Sequence, residues 1–175
     1  MSQVQDKPLE NQEITIELER QLANLKTEPN SIATVEEIAK IYEQKQQIET
    51  AISYYQKIVN LAGDRVDIYL KIASLQVRVK QFAASLRNYQ TALKMQPQQP
   101  AWVFIGLGDA LIKTDRVDEA ILAFRKAVEL RSDYGLVYAK LASAMAFKNN
   151  VLQTIDTYQK AIDLQNKLPF WVYIL

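Results

Sequence analysis

The chain has 175 residues, 49% of them apolar, with 21 Lys and Arg against 20 Asp and Glu. This supplies a core for one or two compact domains, and a formal charge of +1 gives no overall electrostatic reason to bind nucleic acid or an anionic membrane. Cys and His are both absent, which excludes disulfides, thiolate zinc sites and cysteine nucleophiles and removes the usual general base near neutral pH.

Residues 1–31 are acidic, with Asp6, Glu10, Glu13, Glu17, Glu19 and Glu28 against Lys7, Arg20 and Lys26. The start, Met1 to Asp6, has neither a charged n-region nor an apolar h-region, so the expected compartment is the cytoplasm. No apolar stretch approaches the roughly 18 residues of a membrane span, so no membrane insertion is expected. Leu18, Leu22 and Leu25, with Ile14 four residues earlier, predict one helix from about Leu9 to Lys26. It is read as an N-terminal cap on the remainder of the chain. A dimerising helix is the alternative, although three leucines make a short seam for a coiled coil.

From Ile32 onward the chain repeats itself. A shift of 34 residues, with one extra near Pro100, aligns four units, 32–65, 66–100, 101–134 and 135–168. One column is small (Ala39, Ala73, Gly108, Ala142) and another slim (Ala51, Ser85, Ala120, Thr154). A third is aromatic (Tyr55, Tyr89, Phe124, Tyr158), and a fourth reads Ile58, Ala92, Ala127, Ala161. Large residues fill Val35, Tyr69, Phe104, Tyr138 and Ile38, Ile72, Leu107, Leu141.

Within a unit, Phe104, Leu107, Gly108 and Leu111 recur at i, i+3, i+4, i+7, the stripe of an amphipathic helix. Ala120, Phe124 and Ala127 repeat the pattern on a second helix. Short polar turns separate the two: Lys45-Gln46-Gln47, Val79-Lys80-Gln81, Thr114-Asp115-Arg116, Lys148-Asn149-Asn150. Turns of that length force antiparallel pairing. Small residues on the facing stripes let the backbones approach, and the aromatic covers the gap beside them. The excess of cations between Val66 and Pro100 (Lys71, Arg78, Lys80, Arg87 and Lys94 against Asp67) does not follow one stripe and reads as a solvated face.

The last residues, Pro169-Phe170-Trp171-Val172-Tyr173-Ile174-Leu175, echo Pro100-Ala101-Trp102-Val103-Phe104-Ile105-Gly106. They read as the start of a fifth unit (169–175), with the chain a segment of something longer. A solenoid end left uncapped exposes apolar surface, so Phe170, Trp171, Tyr173 and Leu175 are candidates for self-association into a homo-oligomer.

The repeat resembles the tetratricopeptide pattern, in which a large residue, Leu-Gly, an aromatic, Ala, Phe and a closing Pro are spaced over about 34 residues. Phe104, Leu107-Gly108, Leu111, Ala120, Phe124 and Ala127 match it best, with Ser132 in the Pro slot. Gln76, where a large apolar residue is usual, and Thr154, for Ala, depart from it. The resemblance implies an all-α, right-handed superhelical solenoid of antiparallel hairpins with no strand. It also implies that partners lie in a concave groove lined by the first helix of each unit.

Carried over slot by slot, that groove takes Ala33, Glu36, Lys40, Glu43 and Gln44 from the first unit. Asp67, Leu70, Ser74, Val77 and Arg78 come from the second, and Trp102, Ile105, Asp109, Ile112 and Lys113 from the third. Leu136, Ala139, Ser143, Ala146 and Phe147 come from the fourth. The lining changes from polar to apolar along its length, and apolar patches of this kind mark interaction sites. The candidate partner-binding residues are therefore Ser74, Arg78, Trp102, Ile105, Asp109, Ile112, Lys113, Leu136, Ala139, Ser143 and Phe147.

The Lys/Asn/Arg clamp by which chaperone-binding members grip a terminal carboxylate is missing. So is the Asn ladder of the O-linked N-acetylglucosamine transferases, whose slots here read Glu37, Lys71, Gly106, Lys140. Gly106-Leu107-Gly108 lacks the third Gly and the preceding strand of a dinucleotide loop. Asp115, Asp118 and Glu119 fit a helix start better than a calcium loop, which needs a central Gly. The tyrosines fall at core spacing rather than as a stacking platform for bases.

No cofactor, metal or catalytic residue is implied. The expected function is a non-enzymatic scaffold that binds a protein or peptide partner. The alternative is a recruiting arm of a larger bacterial glycosyl-, sulfo- or methyltransferase, since similar arrays with "Pro-x-Trp-Val-x-Ile" starts often precede such domains.

Overall fold

The structure, a computed structural model, describes residues 6–148 and 151–165, with side-chain surroundings from Gln12 onward. All regular structure among these residues is helical. The chain divides between Val79 and Lys80 into two compact units.

The first unit holds α1 (Asp6–Thr27), α2 (Ile32–Gln44), α3 (Ile48–Ala62) and α4 (Val66–Arg78). Ser31 caps α2, its Oγ accepting from the Thr34 N–H at 3.4 Å. Val35 and Ala39 of α2 meet Ala51, Tyr55 and Ile58 of α3 and Ile68, Ile72 and Leu75 of α4 in one buried cluster. On the other side of α2, Ile38 and Ile41 pack with Leu18 and, less completely buried, Ile14, Leu22 and Leu25 of α1. The Tyr42 and Tyr54 rings stack at 5.4 Å between centroids. Leu70, assigned to the groove from its slot, is instead buried. Gln76 is buried as well, in the slot that usually holds a large apolar residue.

The second unit holds α5 (Phe82–Met95), α6 (Ala101–Ile112), α7 (Val117–Leu130), α8 (Gly135–Ala146) and α9 (Val151–Gln165). α6 and α7 pair as closely as the small column demands. A Cβ on Gly108 would lie 2.5 Å from the Phe124 ring, where no carbon can sit. Ala101 of α6, Ala127 of α7 and Val137 of α8 form one cluster, so each added helix is seated on the hairpin before it.

The turns reach their sharpness in an unexpected way. Gln46, Lys80 and Asp115 occupy equivalent positions with φ of 58°, 61° and 59°, and none is glycine. The first and third close with an N–H to carbonyl bond five residues back, Gln47 to Tyr42 and Arg116 to Leu111, both at 2.9 Å. This is the Schellman arrangement that ends a helix on a left-handed residue. Asp115 is therefore the turn pivot and does not cap α7, whose flanking residue Arg116 makes no side-chain cap bond. Asp118 and Glu119 do lie in the first turn of α7, where the helix dipole favours acids.

Candidate partner-binding face on the second unit

Of the eleven candidate residues, Ser74 and Arg78 belong to α4 in the first unit. Their polar groups are partly engaged there. Ser74 Oγ donates to the Lys71 carbonyl (2.8 Å), and Arg78 donates to Gln46 Oε1 (2.9 Å).

The other nine belong to the second unit. Trp102, Ile105, Asp109 and Ile112 fall at i, i+3, i+7, i+10 on α6, followed by the exposed C-cap Lys113. Leu136, Ala139 and Ser143 fall at i, i+3, i+7 on α8, followed by the C-cap Phe147. Lys140 of α8 donates to both carboxylate oxygens of Asp109 at 2.7 and 2.9 Å, tying the two faces side by side. Sequence reasoning did not foresee this bridge, because its partners are 31 residues apart.

Apolar groups dominate what remains. Trp102 and Leu136 are each 49% exposed and Phe147 69%, whereas the adjacent Val103 and Val137 are completely buried. Ile105, Ile112 and Ala139 are half-buried between them. Asp109 is neutralised by Lys140, and Ser143 Oγ is 2.8 Å from the Tyr158 hydroxyl of α9. Lys113 has no charged partner among the described residues.

Gly106 lies on the same helix. A Cβ there would fall 2.2 Å from the Tyr89 hydroxyl of α5, so the missing side chain makes room for the phenol. Tyr89 is buried, and burial, with the Asp109 charge adding to it, pushes the phenol up to about 12. In the first unit Tyr55 is pushed up further by burial and the nearby Glu43 and Glu36 carboxylates.

Phe170, Trp171, Tyr173 and Leu175 lie outside the described residues. Missed by sequence reasoning was the outer face of α9, where Val151, Leu152, Ile155 and Ile162 are exposed. The slots of Val151, Ile155 and Ile162 signalled it, being apolar in every unit and buried or half-buried in the earlier copies, whereas the Leu152 slot is exposed in each of them (Glu49, Ala83, Asp118). Among the described residues there is no group of His, Cys, Asp or Glu suited to a metal ion. No helix among them is long and apolar enough to cross a membrane.

Comparison with known proteins agrees with this architecture. Family descriptions of the tetratricopeptide repeat match residues 36–65 and 70–134. The chain belongs to the tetratricopeptide-repeat family. It is 32% identical over 108 residues to human "Superkiller complex protein 3", covering 59% of this chain and 7% of that protein. It is 32% identical over 89 residues to the Arabidopsis thaliana "Protein CTR9 homolog", covering 51% of this chain and 8% of that one. This tetratricopeptide-repeat chain thus spans only a small part of the relatives it matches. Human "Protein O-mannosyl-transferase TMTC3" is 19% identical over 165 residues, covering 86% of this chain and 18% of that protein.

Among solved structures, MamA superposes with a TM-score of 0.82 at 20% identity, covering 95% of this chain and 97% of that one. YrrB, described as a TPR protein with an unusual peptide-binding site, superposes at 0.80 and 18% identity, covering 90% and 81%. At these identities the likeness is one of fold.

Proposed function

We propose that this chain is a non-enzymatic, cytoplasmic interaction scaffold whose second unit holds a peptide or protein partner along α6 and α8. The observation that carries this reading is the contrast at Trp102–Val103 and Leu136–Val137. The inner residue of each pair is sealed in the core while the outer, larger one stands half in water. Keeping a Trp, a Leu and a Phe exposed on adjoining helices forgoes burial worth roughly 1.5–3 kcal/mol per side chain, which a partner recovers. Aromatic anchors of this kind dominate interface energies. Catalysis is disfavoured by the lack of His and Cys and by the commitment of Asp109 to Lys140.

The similarity to a protein named as an O-mannosyl-transferase supports a second reading, in which this array recruits a partner or substrate for a catalytic domain outside this chain. Both readings use the same face.

The test is to select binding peptides from a displayed library against the whole chain, then titrate them calorimetrically against Trp102→Ala, Phe147→Ala and Glu37→Ala. The first two substitutions should weaken binding by about 2 kcal/mol or more each, and the third should leave it unchanged. Peptides that bind all three variants equally well would remove the proposal.

A further inference from the structure

The outer side of α7 carries a leucine that the repeat does not require. Leu122 is 64% exposed. Its slot faces water in every unit, and the other three copies fill it with Ser53, Arg87 and Asp156. A lone exposed leucine is ordinary, but this one borders a cavity of about 300 Å³ lined by α5, α6 and α7. Phe104, Leu107 and Leu111 of α6 and Ala123 of α7 form its apolar walls. Glu119 and Lys126 border it about one turn before and one turn after Leu122.

Glu119, Leu122 and Lys126 fall at i, i+3 and i+7, on one face of α7. Only the third unit sets an acid, a leucine and a base at these slots. The others read Thr50, Ser53 and Lys57, then Ala84, Arg87 and Thr91, then Gln153, Asp156 and Lys160. The order acid, leucine, base is its own complement. A two-fold axis near Leu122 sets a second α7 antiparallel to the first. It brings that copy's Lys126 to Glu119 and its Glu119 to Lys126. Within the chain Glu119 pairs with Arg116 and Lys126 with Glu129, but both pairs join exposed residues three apart. Such pairs contribute little, so they re-form across an interface at small loss.

We infer that the outer side of α7 pairs two copies of this chain, antiparallel, with Leu122 of each seated in the cavity of the other. An unrelated partner needs only a cavity to enter. A two-fold contact needs the projecting side chain, the cavity and the opposed charges on one element, and α7 carries all three. The contact is isologous. It covers Leu122 with Phe104, Leu107 and Ala123 and sets two ion pairs at its rim. Phe104, Leu107 and Leu111 lie on the other side of α6 from Trp102, Ile105 and Asp109, so this pairing does not rest on the proposed partner face.

The test is the mass of the full chain in solution, by sedimentation equilibrium over a range of concentrations. A reversible dimer is expected. Leu122→Ser, which copies the residue of the first unit at that slot, should weaken it by about tenfold or more. Glu119→Lys and Lys126→Glu should each weaken it as well, because each sets like charges together at both ends of the contact. Mixed in equal amounts, these two variants should bind each other more tightly than either binds itself, since every acid again meets a base. That rescue separates a lost contact from a damaged fold. A chain that stays monomeric at every concentration would overturn the inference. So would a dimer that Leu122→Ser leaves intact, or single-charge variants that fail to pair when mixed.

Discussion

The contact between Gly106 and Tyr89 offers a sharp test of how the array is packed. Replacing Gly106 by Ala places a carbon 2.2 Å from the phenolic oxygen and 2.8 Å from Cζ, more than an ångström inside ordinary contact at the closer atom. Tyr89 is buried, so it has little room to retreat. Overpacking of this size costs about 1–3 kcal/mol, while Ala in place of Gly within a helix returns about 1 kcal/mol. Gly106→Ala should therefore destabilise the chain by up to about 2 kcal/mol, despite the better helix former. Tyr89→Phe removes the atom in closest conflict and lets the ring shift. In that background Gly106→Ala should cost distinctly less, and the two substitutions should couple by about 1 kcal/mol. Urea unfolding of the four variants, followed by circular dichroism, completes the cycle. Additive free energies would show that Tyr89 does not occupy the space Gly106 leaves open.

Two further outcomes come from the backbone and from the buried phenols. Lys80→Gly relieves a left-handed residue worth about 1–2 kcal/mol and adds unfolded-chain entropy of about 0.5–1 kcal/mol, so a net gain of up to about 1.5 kcal/mol is expected in thermal unfolding. Loss of stability on that change would contradict the positive φ. Stability should also fall as pH rises from about 10 to about 12. The unfolded Tyr89 releases its proton near 10 while the folded one holds it to about 12, so unfolding releases a proton across that window. The Tyr89 share is at most about 2–3 kcal/mol and should vanish in Tyr89→Phe. Tyr55, shifted in the same direction, keeps part of the decline in that variant.

The hairpins were legible because a close helix pair imposes residue sizes, and sizes survive in a sequence. Gly108 opposite Phe124 is a steric requirement visible as a column. The turns were legible as breaks but not as conformations, since Gln46, Lys80 and Asp115 adopt a left-handed φ without the glycine that advertises one. The candidate face was legible in outline. Periodicity states which side of a helix is apolar, and Trp102 and Leu136 do stand in water. It cannot state whether the next element covers that side. Leu70 looks like a groove residue by slot and is buried, while Tyr158 looks like core by slot and is partly exposed. Each depends on a neighbour that its own helix does not encode.

The long-range ion pairs show how charged and apolar groups divide the work of the array. Glu36–Arg65 and Glu43–Lys71 in the first unit, and Asp109–Lys140 and Asp118–Lys148 in the second, each set an acid before a base 28 to 31 residues later. Each pair ties a helix to an element about one repeat further along the chain. They are partly exposed, so each contributes at most about 1 kcal/mol. Their direction is uniform, however, and an array slipped by one helix would set these charges against the wrong partners. The pairs thus serve register more than stability, as complementary charges do at interfaces. Once Lys71 and Lys140 are spent in this way, they are poorly placed to hold a carboxylate as well. A partner on α6 and α8 is then gripped mainly through Trp102, Leu136 and Phe147, with Lys113 the remaining uncommitted lysine of this face, so its affinity should change only modestly with salt, whereas recognition through several lysines would weaken steeply. Measuring the dissociation constant of a selected peptide at low and high ionic strength decides between the two.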